Sequence, residues 1–266
     1  MDAEIISILL ALAITAIVAF PLARPLRKYS VVFYVVATVA LVVYLWTVLT
    51  GVNTNQWRWL TFMFQKGYLG TFFLALVMFT GALPDSSKIK RGLLPIRGEL
   101  SILSFIFYIG HIVTYLKSYL PMLSNFGNLK PTLAASLIFY IGHIVTYLKS
   151  YLPMLSNFGN LKPTLAASLI VALVLTIIFV VLSVTSFKFI RSAMNATVWR
   201  RLQKFAYLMV ALLGVHVAMA LGLSLANMGS VGSIHVILYI VIIVIYAALR
   251  LYKASVDKKA KVADAE

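Results

Sequence analysis

Apolar residues run along this chain in eight long blocks separated by short polar, basic or turn-forming segments. The blocks lie near 5–23, 31–51, 68–84, 99–120, 132–153, 164–187, 203–225 and 232–252. About 17 to 25 mainly apolar residues make a helix long enough to cross the hydrocarbon core of a bilayer. Each block therefore predicts a membrane helix, and the expected fold class is an all-α integral membrane bundle forming a single transmembrane domain over 1–266. The loop after the second block carries Trp57, Trp59, Phe62 and Phe64, which suits an interfacial aromatic belt. The chain opens MDAEII, acidic rather than basic, so the first block reads as a retained helix and not a cleaved leader. No Gly-rich phosphate loop appears, and no stretch leaves room for a nucleotide or flavin domain.

Composition narrows the class. Apolar residues make up 62% and charged residues 11% of 266, with mean hydropathy +0.98, too few charges to cover a water-soluble domain. The net charge of +16 would suggest nucleic acid if it formed a patch. It lies instead in short loops and the C-terminal tail, where it sets membrane orientation, so membrane lipids are the expected partner and nucleic acid is not. The absence of cysteine excludes disulfides, iron–sulfur clusters and thiolate-ligated haem on this chain.

An internal repeat interrupts the middle. Residues 107–138 and 139–170 are identical through all 32 letters, whereas structural repeats normally keep pattern and let identity drift. Such identity points to a very recent tandem duplication or an engineered one. If all eight blocks cross in turn, basic residues divide nine against fourteen between the two sides. If one copy does not cross, they divide seventeen against six. The positive-inside rule favours the second arrangement, a seven-helix parent with a cytoplasmic C-terminus. The surplus copy would then lie along the interface, re-enter, or exchange with a neighbouring protomer, giving a possible homodimer through the duplicated helix.

All four histidines fall inside apolar blocks. Intramembrane ionisable residues are costly and are functional candidates by default. Counted from the block starts, His111 and His216 lie roughly 18 and 20 Å deep from the same side. Two imidazoles at one level on separate helices are what a haem iron needs on its two axial positions. His143 shares the immediate neighbours of His111 and is its alternative. His235, after the turn NMGSVGS, reads first as an interfacial histidine, with a propionate contact, a ligand or a proton relay as rivals. Gly110 and Gly214 precede their histidines closely, and small residues permit close approach of a helix or a flat macrocycle. Lys117 could meet a haem propionate or snorkel to the headgroups. The competing readings for His111 and His216 are a helix-to-helix hydrogen bond or a proton path. The seven carboxylates stand at or outside the block ends, which argues against the proton path.

These residues assemble into a resemblance. FFLALVMFTGALP, the basic loop after it and IRGELSILSFIFYIGH are similar to the second core helix, arginine turn and first histidine helix of the ferric reductase-like transmembrane family. Within that family, the small haem-binding MsrQ/YedZ-type branch is the nearest. WRRLQKFAYLMVALLGVH resembles the family's LH pair followed thirteen residues later by a second histidine. The resemblance covers roughly Tyr44 to Tyr252, with the duplication interrupting it. It implies a six-helix haem-binding core, with an extra N-terminal helix and one duplicated segment here. His111 and His216 match the family's axial ligands, and Arg97 matches its arginine. Gln203 stands where the family's LH pair puts a histidine, so one haem b is expected. The implied activity is electron transfer across the membrane, an oxidoreductase subunit's role. A cytosolic flavoprotein reductase, loosely bound FMN or a quinol would be the donor. Ferric iron or an extracytoplasmic reductase would be the acceptor. The alternatives are a transporter or channel with an intramembrane histidine site for protons or metal, and a structural subunit.

Overall fold

In a computed structural model, residues 3–52, 55–123, 163–225 and 233–263 are described, and the regular elements among them are all helical. The helices are α1 (Ala3–Ala19), α2 (Ala23–Lys28), α3 (Ser30–Thr50), α4 (Arg58–Gln65), α5 (Tyr68–Ala82), α6 (Lys88–Leu93) and α7 (Arg97–Leu123). After residues 124–162, which lie outside the described set, come α8 (Pro163–Val184), α9 (Lys188–Ala193), α10 (Ala196–Gln203), α11 (Phe205–Leu225) and α12 (Ser233–Ala263). Five helical spans are long and apolar enough to cross a membrane. The shorter apolar helix α1 and the described part of α8 pack into the same bundle. The outer face of α3 presents Val31, Val32, Val35, Val36, Val39 and Val43, a continuous apolar stripe that needs lipid around it. The chain is a multi-helix membrane protein.

Between the long helices lie short ones that the hydropathy blocks do not reveal. Asn195 starts α10 by accepting from the backbone N–H groups of Thr197 and Val198 at 2.8 and 3.4 Å, an N-cap. The belt segment forms α4, and only part of it faces outward. Trp57 is exposed, while Met63 and Phe64 are buried, with Phe64 stacked on Tyr44 at 4.7 Å. In lipid the driving force for such contacts is close packing rather than water exclusion.

The core centres on α5, whose residues from Tyr68 through Ala75 are all buried. It touches α1, α4, α7 and α12. Gly70 makes the α5–α7 contact possible: a Cβ there would stand 2.6 Å from the Tyr108 ring. The Ser104 hydroxyl on α7 donates to the Gly70 carbonyl at 2.8 Å, and Phe73 stacks on Phe107.

Five helices close into a ring in the order α7, α5, α12, α11, α8 and back to α7. Neighbours in this ring pack extensively, whereas α7 and α11 do not and so stand across its interior. Helices α7 and α8 are antiparallel, since Gly98 lies against the Ser186 backbone and Phe105 and Tyr108 meet Phe179. The chain therefore leaves α7 and enters α8 at the same end of the bundle. The opposite end gathers α2, α6, α9, α10 and the end of α12. There Lys253 lies 3.8 Å from Asp85, and the Trp199 indole donates to the Thr185 carbonyl at 3.1 Å. Most of the described basic residues stand at that end.

Two expectations follow. In this chain without native cysteine, single reporters Lys188→Cys and Lys258→Cys should react with an impermeant thiol reagent from one side of the membrane and Trp57→Cys from the other. Labelling of Lys188→Cys and Trp57→Cys from one side would refute the helix order. Gly70→Ala should overpack the α5–α7 contact and cost about 1–3 kcal/mol, read as a lowered unfolding temperature in detergent.

Candidate functional site

The site begins with a break in the backbone. Helix α4 ends at Gln65 and α5 starts at Tyr68, and Gly67 between them has φ +72°. Only glycine enters that left-handed region without steric cost. The last carbonyls of a helix have no partner inside it, and an unsatisfied carbonyl in lipid costs several kcal/mol. Here two of three consecutive carbonyls take side-chain donors from other helices, and the third takes a backbone N–H from within α5. His111 Nδ1 lies 2.8 Å from the Gln65 oxygen. The Tyr239 hydroxyl donates to Lys66 O at 2.9 Å. Gly67 O accepts the Thr71 backbone N–H at 2.9 Å, with Thr71 Oγ1 2.8 Å away. The junction thus ties α7 and α12 to α5.

Hydroxyl protons fix a direction in this network. Tyr239 spends its single proton on Lys66 O, so it can only accept from Thr71 Oγ1, 3.0 Å away. Thr71 also stands 2.9 Å from the Tyr108 hydroxyl, which is left to donate. A second polar pair adjoins it. The Tyr68 hydroxyl donates to Glu4 Oε1 at 2.5 Å, and Glu4, in the first turn of α1, is 4% exposed. Glu4 stands at a block end, yet it is enclosed by protein.

His111 sits beside this junction. A Cβ on Gly67 would meet its ring at 3.3 Å, and the Tyr115 ring lies 4.7 Å away. A carbonyl only accepts, so Nδ1 carries the proton and Nε2 keeps its lone pair. This is the outer-shell arrangement that orients metal-binding histidines. Across the ring, on α11, His216 has a buried Nδ1 with no hydrogen-bond partner among the described residues, and its ring also faces the Ser168 backbone on α8. Either ring nitrogen can bind a metal. No group of three or more His, Cys, Asp or Glu converges on a common point among the described residues, and two imidazoles alone underfill a bare metal site. A haem brings its own four nitrogens and asks the protein for two axial ligands. This donor set fits that group.

The remaining candidates divide. His143 lies outside the described residues, and His235 falls in the first turn of α12 with its side chain also outside them. The space a Cβ on Gly110 would take is bounded by Leu41, Tyr44 and Phe64 at 3.2–3.3 Å, so this glycine serves helix packing; a Cβ on Gly214 would meet nothing within 4 Å. The Lys117 ammonium donates to the Val48 carbonyl, among the last carbonyls of α3. The Gln203 amide donates to Thr185 Oγ1 at 3.4 Å and lines a cleft with Arg97 at the basic end. The sequence reading missed Gly67, Glu4, Tyr68, Thr71 and Tyr239. Only the polar triplet Gln65-Lys66-Gly67 between two apolar runs signalled a turn there.

No protein-family model matches the chain, and no solved structure does. The chain is similar to an uncharacterised protein of Treponema pallidum (strain Nichols), 27% identical over 258 residues that make up 95% of this chain and 62% of that protein. The chain thus spans less than two thirds of the length of the curated relative it matches.

The two left-handed glycines provide a control for each other. Gly51→Ala adds backbone strain alone, since nothing lies within 4 Å of its Cβ, whereas Gly67→Ala adds the same strain and pushes on His111. Each should lose about 1–2 kcal/mol from the backbone, and Gly67→Ala should lower the unfolding temperature further. Equal shifts would show that His111 does not press on this turn.

Proposed function

We propose that the protein is a membrane b-type cytochrome of the ferric reductase-like kind, holding one haem between His111 and His216 and passing single electrons across the membrane. The observation that carries this reading is the pair itself: two imidazoles across a helix ring, one oriented by the Gln65 carbonyl, the other with a buried nitrogen lacking a partner. A haem held by His111 and His216 would supply a one-electron couple, and two histidine ligands suit electron transfer more than oxygen binding. The chain does the positioning. Gln65 fixes the His111 ring, Gly67 lets the backbone approach it, and the aromatic surround of Tyr108 and Tyr115 keeps water from the site. His143 remains the alternative to His111 through the identical repeat. With Gln203 engaged by Thr185, a second haem at the basic end has no ligand there.

By the positive-inside rule the basic end, and with it the C-terminus, faces the cytoplasm. A cytosolic flavoprotein, loosely bound FMN or a quinol supplies the electrons on this reading. Ferric iron or an extracytoplasmic reductase receives them.

One observation favours a second reading, a proton-handling site in a transporter or channel. Glu4 is a buried carboxylate bonded to Tyr68, and Tyr68 opens the helix whose first turn carries the Thr71–Tyr239 hydroxyl pair. Such groups inside a membrane protein commonly line ion or proton paths.

A reduced-minus-oxidised spectrum with pyridine haemochrome quantitation separates the two. The expected result is one b haem per chain, lost in His111→Ala and His216→Ala and retained in Glu4→Gln. Loss with His143→Ala in place of His111→Ala would assign the ligand to the second copy of the repeat. Protein free of haem from cells supplied with it in excess would end the cytochrome reading and leave the proton site.

A further inference from the structure

The ring interior has a second polar feature at its basic end, away from the histidines. Arg97 in the first turn of α7 and Arg250 just past the middle of α12 approach the same residue of α5, Gly81. Arg250 Nη1 donates to the Gly81 carbonyl at 3.3 Å, and the Arg97 guanidinium lies 4.0 Å from where a Gly81 Cβ would stand. Both are only partly exposed and both line one cleft, together with the polar Ser101 and Gln203 and an apolar wall that includes Met78 and Phe179.

Among the described residues no carboxylate pairs with either guanidinium. Asp85, at the same end of the bundle, is bound by Lys90 at 2.5 Å and approached by Lys253 at 3.8 Å. The Arg250 guanidinium lies over the Tyr207 ring at 4.7 Å, which offsets part of its charge and leaves its outer N–H groups for another acceptor. Two like charges brought together in a partly dry cleft cost energy unless an anion joins them. Guanidinium N–H groups match the oxygens of phosphate in pairs, forming charge-assisted hydrogen bonds. The cleft has about 70 Å³ open to the centres of water molecules. At roughly 10–15 Å³ for one water measured this way, that is room for a tetrahedral oxyanion and far too little for a macrocycle.

We propose that Arg97 and Arg250 bind the phosphate group of an anionic phospholipid in this cleft. The cleft lies at the end of the bundle where basic residues collect, which is the headgroup level of a leaflet rich in anionic lipid. The apolar wall beside the two arginines suits the start of an acyl chain. The proposal concerns the opposite half of the ring from the imidazoles and does not depend on haem.

The test uses the full chain in detergent. Short-chain phosphatidylglycerol should raise the unfolding temperature of the wild type in a saturable way, and short-chain phosphatidylcholine should not. Arg97→Gln and Arg250→Gln should each weaken the apparent affinity by at least about tenfold. Arg191→Gln, at the same end but outside the cleft, should leave it unchanged. An equal loss in Arg191→Gln would reduce the effect to general surface charge and overturn the proposal. Inorganic phosphate giving the same shift at the same concentration would overturn the lipid assignment in favour of the free anion. A wild-type measurement covers variants that do not fold: phosphatidylglycerol should protect Arg97 and Arg250, and not Arg191, from phenylglyoxal, with the adducts mapped by mass spectrometry. Uniform protection of all three, or none, would overturn it.

Discussion

A polypeptide inside a bilayer has no water to satisfy its backbone, and in this bundle that constraint concentrates on three residues. The chain turns between α4 and α5 at Gln65, Lys66 and Gly67, where helical hydrogen bonding lapses. Lys66 and Gly67 still donate back to Phe62 and Phe64, so the N–H side of the break is satisfied locally. The carbonyls of Gln65 and Lys66 are not, and the fold answers with His111 and Tyr239, each from a helix that the turn thereby orients. Gly67 O accepts the Thr71 N–H inside α5. A turn that merely reversed the chain could sit in the headgroups and use water. This one is capped by side chains from α7 and α12, and the positions of both helices follow from it. The orientation of His111 is a by-product of the same requirement: the imidazole is held because a carbonyl needs a donor.

The helices were legible in the sequence, and the polar interior was not. Length and hydropathy are summed over twenty residues, so a few polar side chains do not hide a membrane helix, and α3 and α11 stand within two residues of the apolar blocks at 31–51 and 203–225. A rise of about 1.5 Å per residue gave His111 and His216 similar depths, and in the fold they stand on α7 and α11, across the ring from each other. Partnership is a different matter. Glu4 reads as an acidic residue near the start of the chain, and its burial depends on Tyr68, sixty-four positions away. Arg250 reads as the first of a basic tail, and only the packing of α12 on α5 turns it toward Gly81. Lys117 shows the reverse. Its spacing from His111 invited a propionate, but the carbonyls at the end of α3 are nearer and have the same need of a donor. Long-range polar pairing in a bundle has no period, so pattern reading cannot find it.

The ring divides its interior between two chemistries, and sequence differences along α11 and its approach explain the division. The half away from the basic end holds imidazoles and a chain of hydroxyls whose protons are all committed. The half at the basic end holds guanidiniums, with Gln203 turned to Thr185 on α8. Glutamine is a poor ligand for ferric iron and a good hydrogen-bond donor, so its side chain spans the gap between α10 and α8. Trp199 does the same one turn earlier. Together they fasten an interfacial helix across the base of the ring and leave a cleft narrower than a cofactor would need.

The same helix order accounts for how the chain can carry thirty-two extra residues. The duplication runs from within α7 to within α8, two antiparallel helices whose adjoining ends share one end of the bundle. Material added there leaves the direction of every later helix unaltered, provided that it returns to the end it left. Had the added segment crossed, α8, α11 and α12 would each have been inverted. The basic residues would then divide nine against fourteen rather than seventeen against six, against the charge bias that orients membrane helices. Charge and connectivity thus favour one outcome. The ring, the histidine pair across it and the arginine cleft beneath it are all built from helices whose order and direction the repeat leaves intact.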